Sequence, residues 1–224
     1  MMNNLFSIFD PSSNFMNLPL NWMSSIYVIM FFPLLYWLIP NRSTILLTKI
    51  LQILNNEIYT LLKNKSFKGT SLIFMVLFMI IILNNFMGLF PYIFTSSSHL
   101  VFNLSFSLPI WFTLMFFGWL NKTENMFSHL IPSGTPPILM PFMVLIESIS
   151  NFIRPLTLAV RLTANMIAGH LLISLLSNNG NNVPLYLYWL IITFELLLMV
   201  LESSVAIIQS YVFTILSTLY TSEI

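Results

Sequence analysis

The chain has 224 residues, of which 57% are hydrophobic and only 7% are charged, whereas a soluble domain carries roughly 25% charged residues. Because these few charged side chains cannot cover the surface of a soluble protein of this length, most of the chain must be solvated by lipid. The basic residues form no continuous stripe and cysteine is absent, which argues against nucleic-acid binding and excludes disulfides, thiolate metal ligands and cysteine nucleophiles.

The N-terminal segment, residues 1–21, resembles neither a secretory signal nor a mitochondrial presequence. It contains Asp10 and no Lys or Arg, whereas a signal peptide begins with basic residues and a presequence is rich in Arg. We therefore expect the protein to insert through internal signals, or to be made inside the compartment that uses it.

Five apolar stretches are predicted to cross the membrane, because about 20 helical residues span about 30 Å of hydrocarbon. We expect a single, all-α integral membrane domain over residues 1–224, in which an N-terminal outer segment precedes all the spans. The predicted parts are the outer segment 1–21, a first span 22–40, a connector 42–68, the second and third spans within 71–120, and a tilted helical hairpin 138–222.

The connector 42–68 differs from the spans because its apolar residues recur at helical spacing between polar ones. This pattern predicts an amphipathic helix lying in the membrane interface. By the positive-inside rule, its excess of basic residues predicts that it lies on the negative, cytoplasm-like side of the membrane, which in a mitochondrion is the matrix, with the N-terminus outside and the C-terminus inside. The connector holds five of the eight basic residues, namely Arg42, Lys49, Lys63, Lys65 and Lys68.

The last two apolar stretches, residues 138–176 and 185–220, are unusually long. At about 1.5 Å per residue each would form a helix of well over about 50 Å, so it cannot stand upright in a bilayer core of about 30 Å. Such a helix must tilt steeply, kink or split, and Pro155 offers a kink in the fourth stretch.

Ionisable residues concentrate in these two stretches and are almost absent from the first three. A charge at the bilayer centre costs at least about 2.5–3.5 kcal/mol, so a charged residue within a span is a functional candidate by default. The fourth and fifth stretches contain Glu147, Arg154, Arg161, His170, Glu195 and Glu202, together with the amides Asn165 and Gln209.

Helical spacing sorts the candidates of the fourth stretch by face. Glu147, Arg154 and Arg161 recur every seven residues and therefore share one face, and Asn165 continues it one turn later. His170 follows Arg161 by nine residues, or about two and a half turns, and so points to the opposite side.

The fifth stretch repeats this pattern with Glu195, Glu202 and Gln209 at seven-residue spacing on one face. We expect the polar stripes of the two helices to meet at a common seam, with His170 displaced outward.

The chemistry of these side chains suggests a proton path. Glu and His take up and release protons, whereas Arg stays protonated, so Arg161 would act as a fixed positive barrier between titratable groups. Structural alternatives remain open: Glu147 and Arg154 forming a buried ion pair between helices, Arg161 pairing with Glu202, and Glu195 being hydrated at the interface.

Residues 150–170, in particular Arg161-Leu162-x-x-Asn165 followed by Ala168-Gly169-His170, resemble the signature of subunit a of F-type ATP synthase in its mitochondrial form. The resemblance extends over the whole chain, including residues 4–11, 84–91 and 202–209. The composition and the match together indicate a protein encoded in an animal, insect-like mitochondrial genome.

The resemblance implies a stationary subunit beside a rotating c-ring whose subunits each carry a buried carboxylate. Protons would enter by one aqueous half-channel and leave by a second, with Arg161 dividing them. The implied roles are outer half-channel for His170 and Glu202, and matrix side for Glu147. Asn165 and Gln209 would lie beside the essential arginine.

The resemblance further implies a non-catalytic, multi-pass subunit of the mitochondrial inner membrane with no cofactor or metal of its own. Its partners would be the c-ring, the peripheral stalk, other small membrane subunits and lipid, with no nucleic acid. Two other functions remain possible: a structural subunit of a respiratory complex, and a proton carrier that works without a ring.

Overall fold

The computed structural model describes residues 5–13, 18–33, 39–62, 69–131, 136–180 and 184–223, and all the regular secondary structure in these ranges is helical. The all-α prediction is therefore confirmed. Lys63, Lys65 and Lys68 lie outside the described residues, as do residues 34–38 of the predicted first span.

Seven α-helices and four short 3-10 turns follow one another along the described ranges. The turns are Leu5–Phe9, Leu20–Trp22, Val28–Phe31 and Ser96–Ser98. The α-helices are α1 (Met23–Tyr27), α2 (Arg42–Leu62), α3 (Thr70–Gly88), α4 (Leu100–Asn121), α5 (Thr123–Leu130), α6 (Met140–Gly180) and α7 (Leu185–Glu223).

Within the described ranges, four helices are long and apolar enough to cross a membrane, namely Thr70–Gly88, Leu100–Asn121, Met140–Asn178 and Tyr186–Ser222. A shorter apolar helical segment, Leu20–Phe31, stands where the first span was predicted. Helical geometry ends there because Phe32 is extended (φ −72°, ψ 120°), and the residue before a proline, here Pro33, is sterically excluded from the α region.

The last two helices are as long as predicted and neither is split. α6 has 41 residues and α7 has 39, so each reaches about 60 Å, about twice the hydrocarbon thickness. Pro155 lies inside α6 and Pro109 inside α4, and both helices continue through them. Membrane helices tolerate such prolines because neighbouring groups satisfy the freed backbone carbonyls.

One helix was not predicted. α5 (Thr123–Leu130) occupies the predicted loop between the third and fourth stretches, with Glu124 in its first turn, where an acid interacts favourably with the helix dipole. With eight residues, α5 is too short to span the membrane.

The core sits where α3, α4, α6 and α7 meet. Ile81 of α3, Leu158 and Leu162 of α6 and Phe213 of α7 are all at most 6% exposed and contact one another. The amphipathic α2 attaches to this bundle by a second cluster, formed by Ile58, Leu62, Phe74 and Leu77. α6 and α7 also pack against each other, as predicted for a hairpin.

Phe213→Ala tests this core. Truncating a fully buried Phe leaves a cavity and costs about 3–5 kcal/mol, so we expect a lower thermal inactivation temperature of the assembled membrane complex. Phe194→Ala is the matched control, because Phe194 is 53% exposed on the same helix. Equal inactivation temperatures for the two variants would contradict this description of the core.

Candidate functional site

The site lies along the α6–α7 hairpin, whose register is fixed by side-chain contacts. The two helices run antiparallel, and their contacts occur at evenly matched levels, so that residue 161 of α6 lies level with residues 211–213 of α7. The contacts are Arg154 over the ring of Tyr220 (5.2 Å), Asn165 with Gln209 (3.1 Å) and His170 with Glu202 (3.5 Å).

His170 and Glu202 form a buried pair within the hairpin. Nε2 of His170 lies 3.5 Å from Oε1 of Glu202, and their side chains are 14% and 5% exposed. Neither group makes a hydrogen bond to the described residues. Both side chains can take up and release a proton, so the pair can hold one between the two helices.

The prediction that His170 lies outside the seam is wrong. Helical periodicity correctly placed His170 and Arg161 on opposite faces of α6. In the structure, however, His170 faces α7 and Arg161 faces away from it. The seam therefore contains His170 and Glu202 at one level and Asn165 and Gln209 at another.

Gly169 makes room for the carboxylate of Glu202. A Cβ at this position would lie 2.6 Å from Oε1 and 2.8 Å from Cδ of Glu202, closer than van der Waals contact permits. Any other residue at 169 would therefore displace Glu202 from His170. The sequence pattern Ala-Gly-His did not by itself reveal this packing role.

Asn165 and Gln209 join the two helices one turn from Arg161. Nδ2 of Asn165 donates a hydrogen bond to Oε1 of Gln209 at 3.1 Å, and Gln209 is 7% exposed. Asn165 and Gln209 were both expected at a seam between the two helices, but Arg161, which was expected on the same face as Asn165, is exposed on the outer face of α6.

Arg161 is exposed on the outer face of α6, where Thr157, Val160, Ala164 and Ala168 are also exposed. Among the described residues, no side chain or carbonyl forms an ion pair or hydrogen bond with it. The structural alternative in which Arg161 pairs with Glu202 is therefore wrong in this conformation, since Glu202 faces His170 instead.

Glu147 and Arg154 form an ion pair within α6 rather than between helices. Nη2 of Arg154 lies 3.4 Å from Oε1 of Glu147, and the two side chains are 30% and 37% exposed. The Tyr220 ring covers the guanidinium of Arg154, a cation–π contact that holds it in place. The contact with α7 is therefore made by Arg154, through Tyr220, and not by Glu147.

The same pair lines a cavity of about 650 Å³ between α4, α5, α6 and the end of α7. Trp111, Phe116 and Trp119 form part of its apolar lining, to which Glu147 and Arg154 add charge. Its location near the beginning of α6 puts it at the predicted inner side of the membrane.

Glu195 is not brought together with the other candidates. It is half-buried and lies seven residues before Glu202 on α7, which is about 10 Å along the helix axis.

A buried polar cluster near the C-terminal end of α3 was missed by sequence reasoning. Oγ of Ser96 donates to Oδ1 of Asn84, Nδ2 of Asn103 donates to the carbonyl of Ser97, and Nδ2 of Asn85 donates to the carbonyl of Ala206. Ala206 lies one helical turn from Glu202. The cluster could have been noticed from the Asn and Ser residues inside the second and third apolar stretches.

Comparisons with known proteins identify the family. The family model described as ATP synthase A chain matches residues 18–222. Relatives named ATP synthase subunit a are 57% identical in Anopheles gambiae, 56% in Drosophila melanogaster and 55% in Locusta migratoria, each over 100% of both chains. The chain belongs to the ATP synthase subunit a family. The predicted resemblance, including its insect-like mitochondrial form, is confirmed.

Gly169→Ala tests the packing of this subunit a site. We expect the added methyl group to push the Glu202 carboxylate away from His170. Displacement worth about 1.4 kcal/mol would slow proton transfer about tenfold. ATP-driven proton pumping by the assembled complex in membrane vesicles is the measurement.

The matched control is Gly180→Ala, where a Cβ would meet its nearest neighbour, the Tyr188 ring, at an ordinary 3.6 Å. Gly180→Ala is expected to pump at the parent rate. Full pumping by Gly169→Ala at normal assembly would show that the close approach of Gly169 to Glu202 has no role in transport.

Proposed function

We propose that this chain is the stationary proton-translocating subunit of a rotary F-type ATP synthase, providing two half-channels that load and unload protons on the carboxylates of a rotating c-ring. The observation that carries the proposal is Arg161. It is an exposed cation, in the middle of a membrane helix, with no partner among the described residues.

An unpaired guanidinium facing hydrocarbon is costly, so Arg161 requires an anionic or strongly polar partner from outside this chain. A membrane-buried carboxylate on a neighbouring subunit fits that need, because Arg forms strong charge-assisted contacts with carboxylates. As Arg remains protonated, it attracts the deprotonated carboxylate and passes no proton itself. Arg161 would therefore act as the divider that couples proton flow to rotation.

The outer half-channel would reach the ring past His170 and Glu202. His170 lies nine residues of α6 from Arg161, or about 14 Å along the axis, and Glu202 of α7 lies beside it. Both can exchange protons. The buried polar cluster around Asn84, Asn85 and Ser97 has polar atoms without hydrogen-bond partners, where waters could be held on the way to Glu202. Glu195 would lie still farther outward.

The inner half-channel would open through the cavity lined by Glu147. This carboxylate lies fourteen residues of α6 from Arg161 in the other direction, or about 21 Å along the axis. Protons leaving the ring would pass toward Glu147 and the matrix. With proton-exchanging groups on both sides of Arg161, a proton would have to ride the ring from one half-channel to the other.

The proposed setting is the mitochondrial inner membrane, with the N-terminus toward the intermembrane space and the C-terminus toward the matrix. Besides the c-ring, the peripheral stalk and other small membrane subunits would hold the chain stationary. Nucleotide chemistry would take place elsewhere in the complex, and this subunit would act without cofactor or metal.

A purely structural membrane subunit is the rival function, with the charges serving to pair helices. One observation speaks against it. Arg161 pairs with no described residue, so this charge does not hold the helices of the described chain together.

Arg161→Gln in the assembled complex tests the divider role. Without a fixed cation we expect proton-driven ATP synthesis to fall to background, because protons would pass between the half-channels without turning the ring. The matched control is Arg42→Gln, which removes an exposed cation from the start of α2. Coupled synthesis near the parent rate in Arg161→Gln would refute the divider role.

Proton flux through the purified chain in liposomes separates a ring-dependent subunit from a self-contained carrier. We expect almost no flux through the chain alone, because neither half-channel crosses the whole membrane, and restored flux when the ring is reconstituted with it. Rapid flux without the ring would favour the self-contained carrier.

A further inference from the structure

Glu57 of α2 makes a contact that none of the predicted roles uses. Its Oε2 accepts a hydrogen bond from the hydroxyl of Tyr211 on α7, with 3.0 Å between the oxygens. Glu57 is the one acidic residue in the sequence of α2, and the bond joins two residues that are 154 positions apart in the chain. Both partners are exposed, and a hydroxyl that donates to a carboxylate forms a stronger hydrogen bond than one between neutral groups.

The bond reaches α7 at the same height along the hairpin as Arg161. The hairpin register puts Arg161 level with residues 211–213 of α7. Tyr211 also follows Gln209 by two residues, so the bond forms within one turn of the Asn165–Gln209 contact.

α7 is held from opposite sides at this level. Tyr211 and Phe213 are two residues apart, which is about 200° around a helix. Phe213 is 1% exposed and packs into the core, whereas Tyr211 is 37% exposed and faces Glu57. Gln209 shares the inner side of α7 with Phe213, so a rotation of α7 about its axis would move Gln209 away from Asn165.

α2 holds Glu57 in place because it packs against α3. Leu54 and Ile58, which flank Glu57 on the buried side of α2, are 9% and 3% exposed. They pack against α3 through Phe78 and Phe74 respectively. The carboxylate of Glu57 is therefore presented to α7 from a helix that is itself packed onto the bundle.

We infer that Glu57 is a positioning residue: through Tyr211 it fixes the rotation of α7, and thereby the Asn165–Gln209 hydrogen bond beside Arg161. The inference rests on the proposed function only for its consequence in proton transport, because the positioning itself is a property of the helices. Glu57 acts here as a hydrogen-bond acceptor and not as a proton carrier.

The first test measures coupled proton transport in the assembled complex carrying Glu57→Ala, Tyr211→Phe, both changes, or Glu57→Gln. We expect each of the first two to lower pumping several-fold, the double variant to lose no more than either alone, and Glu57→Gln to pump near the parent rate because its amide oxygen still accepts the bond. Tyr59→Phe is the matched control, since Tyr59 is 57% exposed on the same helix.

A second test measures helix alignment without reference to transport. The chain contains no cysteine, so Asn165→Cys with Gln209→Cys gives one defined pair whose oxidative disulfide yield reports the α6–α7 alignment. Adding Tyr211→Phe should lower the yield at least several-fold, and adding Tyr59→Phe should leave it unchanged. The disulfide yield still tests the alignment of α6 and α7 even if Arg161→Gln retains ATP synthesis and so refutes the proposed function.

Three results would overturn the inference. An unchanged disulfide yield with Tyr211→Phe would show that the bond does not set the alignment. Additive losses in the double variant would show that Glu57 and Tyr211 act separately. A Glu57→Gln variant as defective as Glu57→Ala would show that the carboxylate is needed for its charge or proton.

Discussion

The cost of placing charge in hydrocarbon is the constraint on which the rest of this structure depends. It keeps Asp, Glu, His, Lys and Arg out of α3 and α4, and several of the charges in α6 and α7 lie beside a partner. His170 faces Glu202, Arg154 faces both Glu147 and Tyr220, and Arg161 faces outward, without a partner among the described residues.

The packing of α6 against α7 places the polar side chains in a fixed order along the hairpin. Because α6 and α7 run antiparallel in a fixed register, one level holds His170 and Glu202, the next Asn165 and Gln209, and the last Arg154 and Tyr220. Two close fits hold this order, Gly169 against the carboxylate of Glu202 and Phe213 in the core. Neither bears a charge, yet both determine where the charges lie.

Much of the fold was predictable because hydrophobic length is a local property. The boundaries of α4 and the great length of α6 and α7 followed from runs of apolar residues. The first span was harder, since Pro33 ends its helical geometry early, and α5 was missed because its eight residues are too few for a periodic signal.

Contacts between helices were less predictable, because periodicity gives the angle between residues on one helix but not which face meets its neighbour. The opposition of His170 to Arg161 was therefore predicted correctly, and the choice of which one enters the seam was not. The bond between Glu57 and Tyr211 had no local signal at all, since it depends on how α2 lies against α7.

The most direct measurement of the central claim, that the Arg161 face of α6 meets the ring, is disulfide cross-linking. Ala164→Cys is exposed one turn from Arg161, whereas Ala159→Cys, at 0% exposure, points into the bundle. Paired with a cysteine placed beside the ring carboxylate, Ala164→Cys should cross-link in high yield and Ala159→Cys should not. A cross-link from position 159 with none from position 164 would contradict the account.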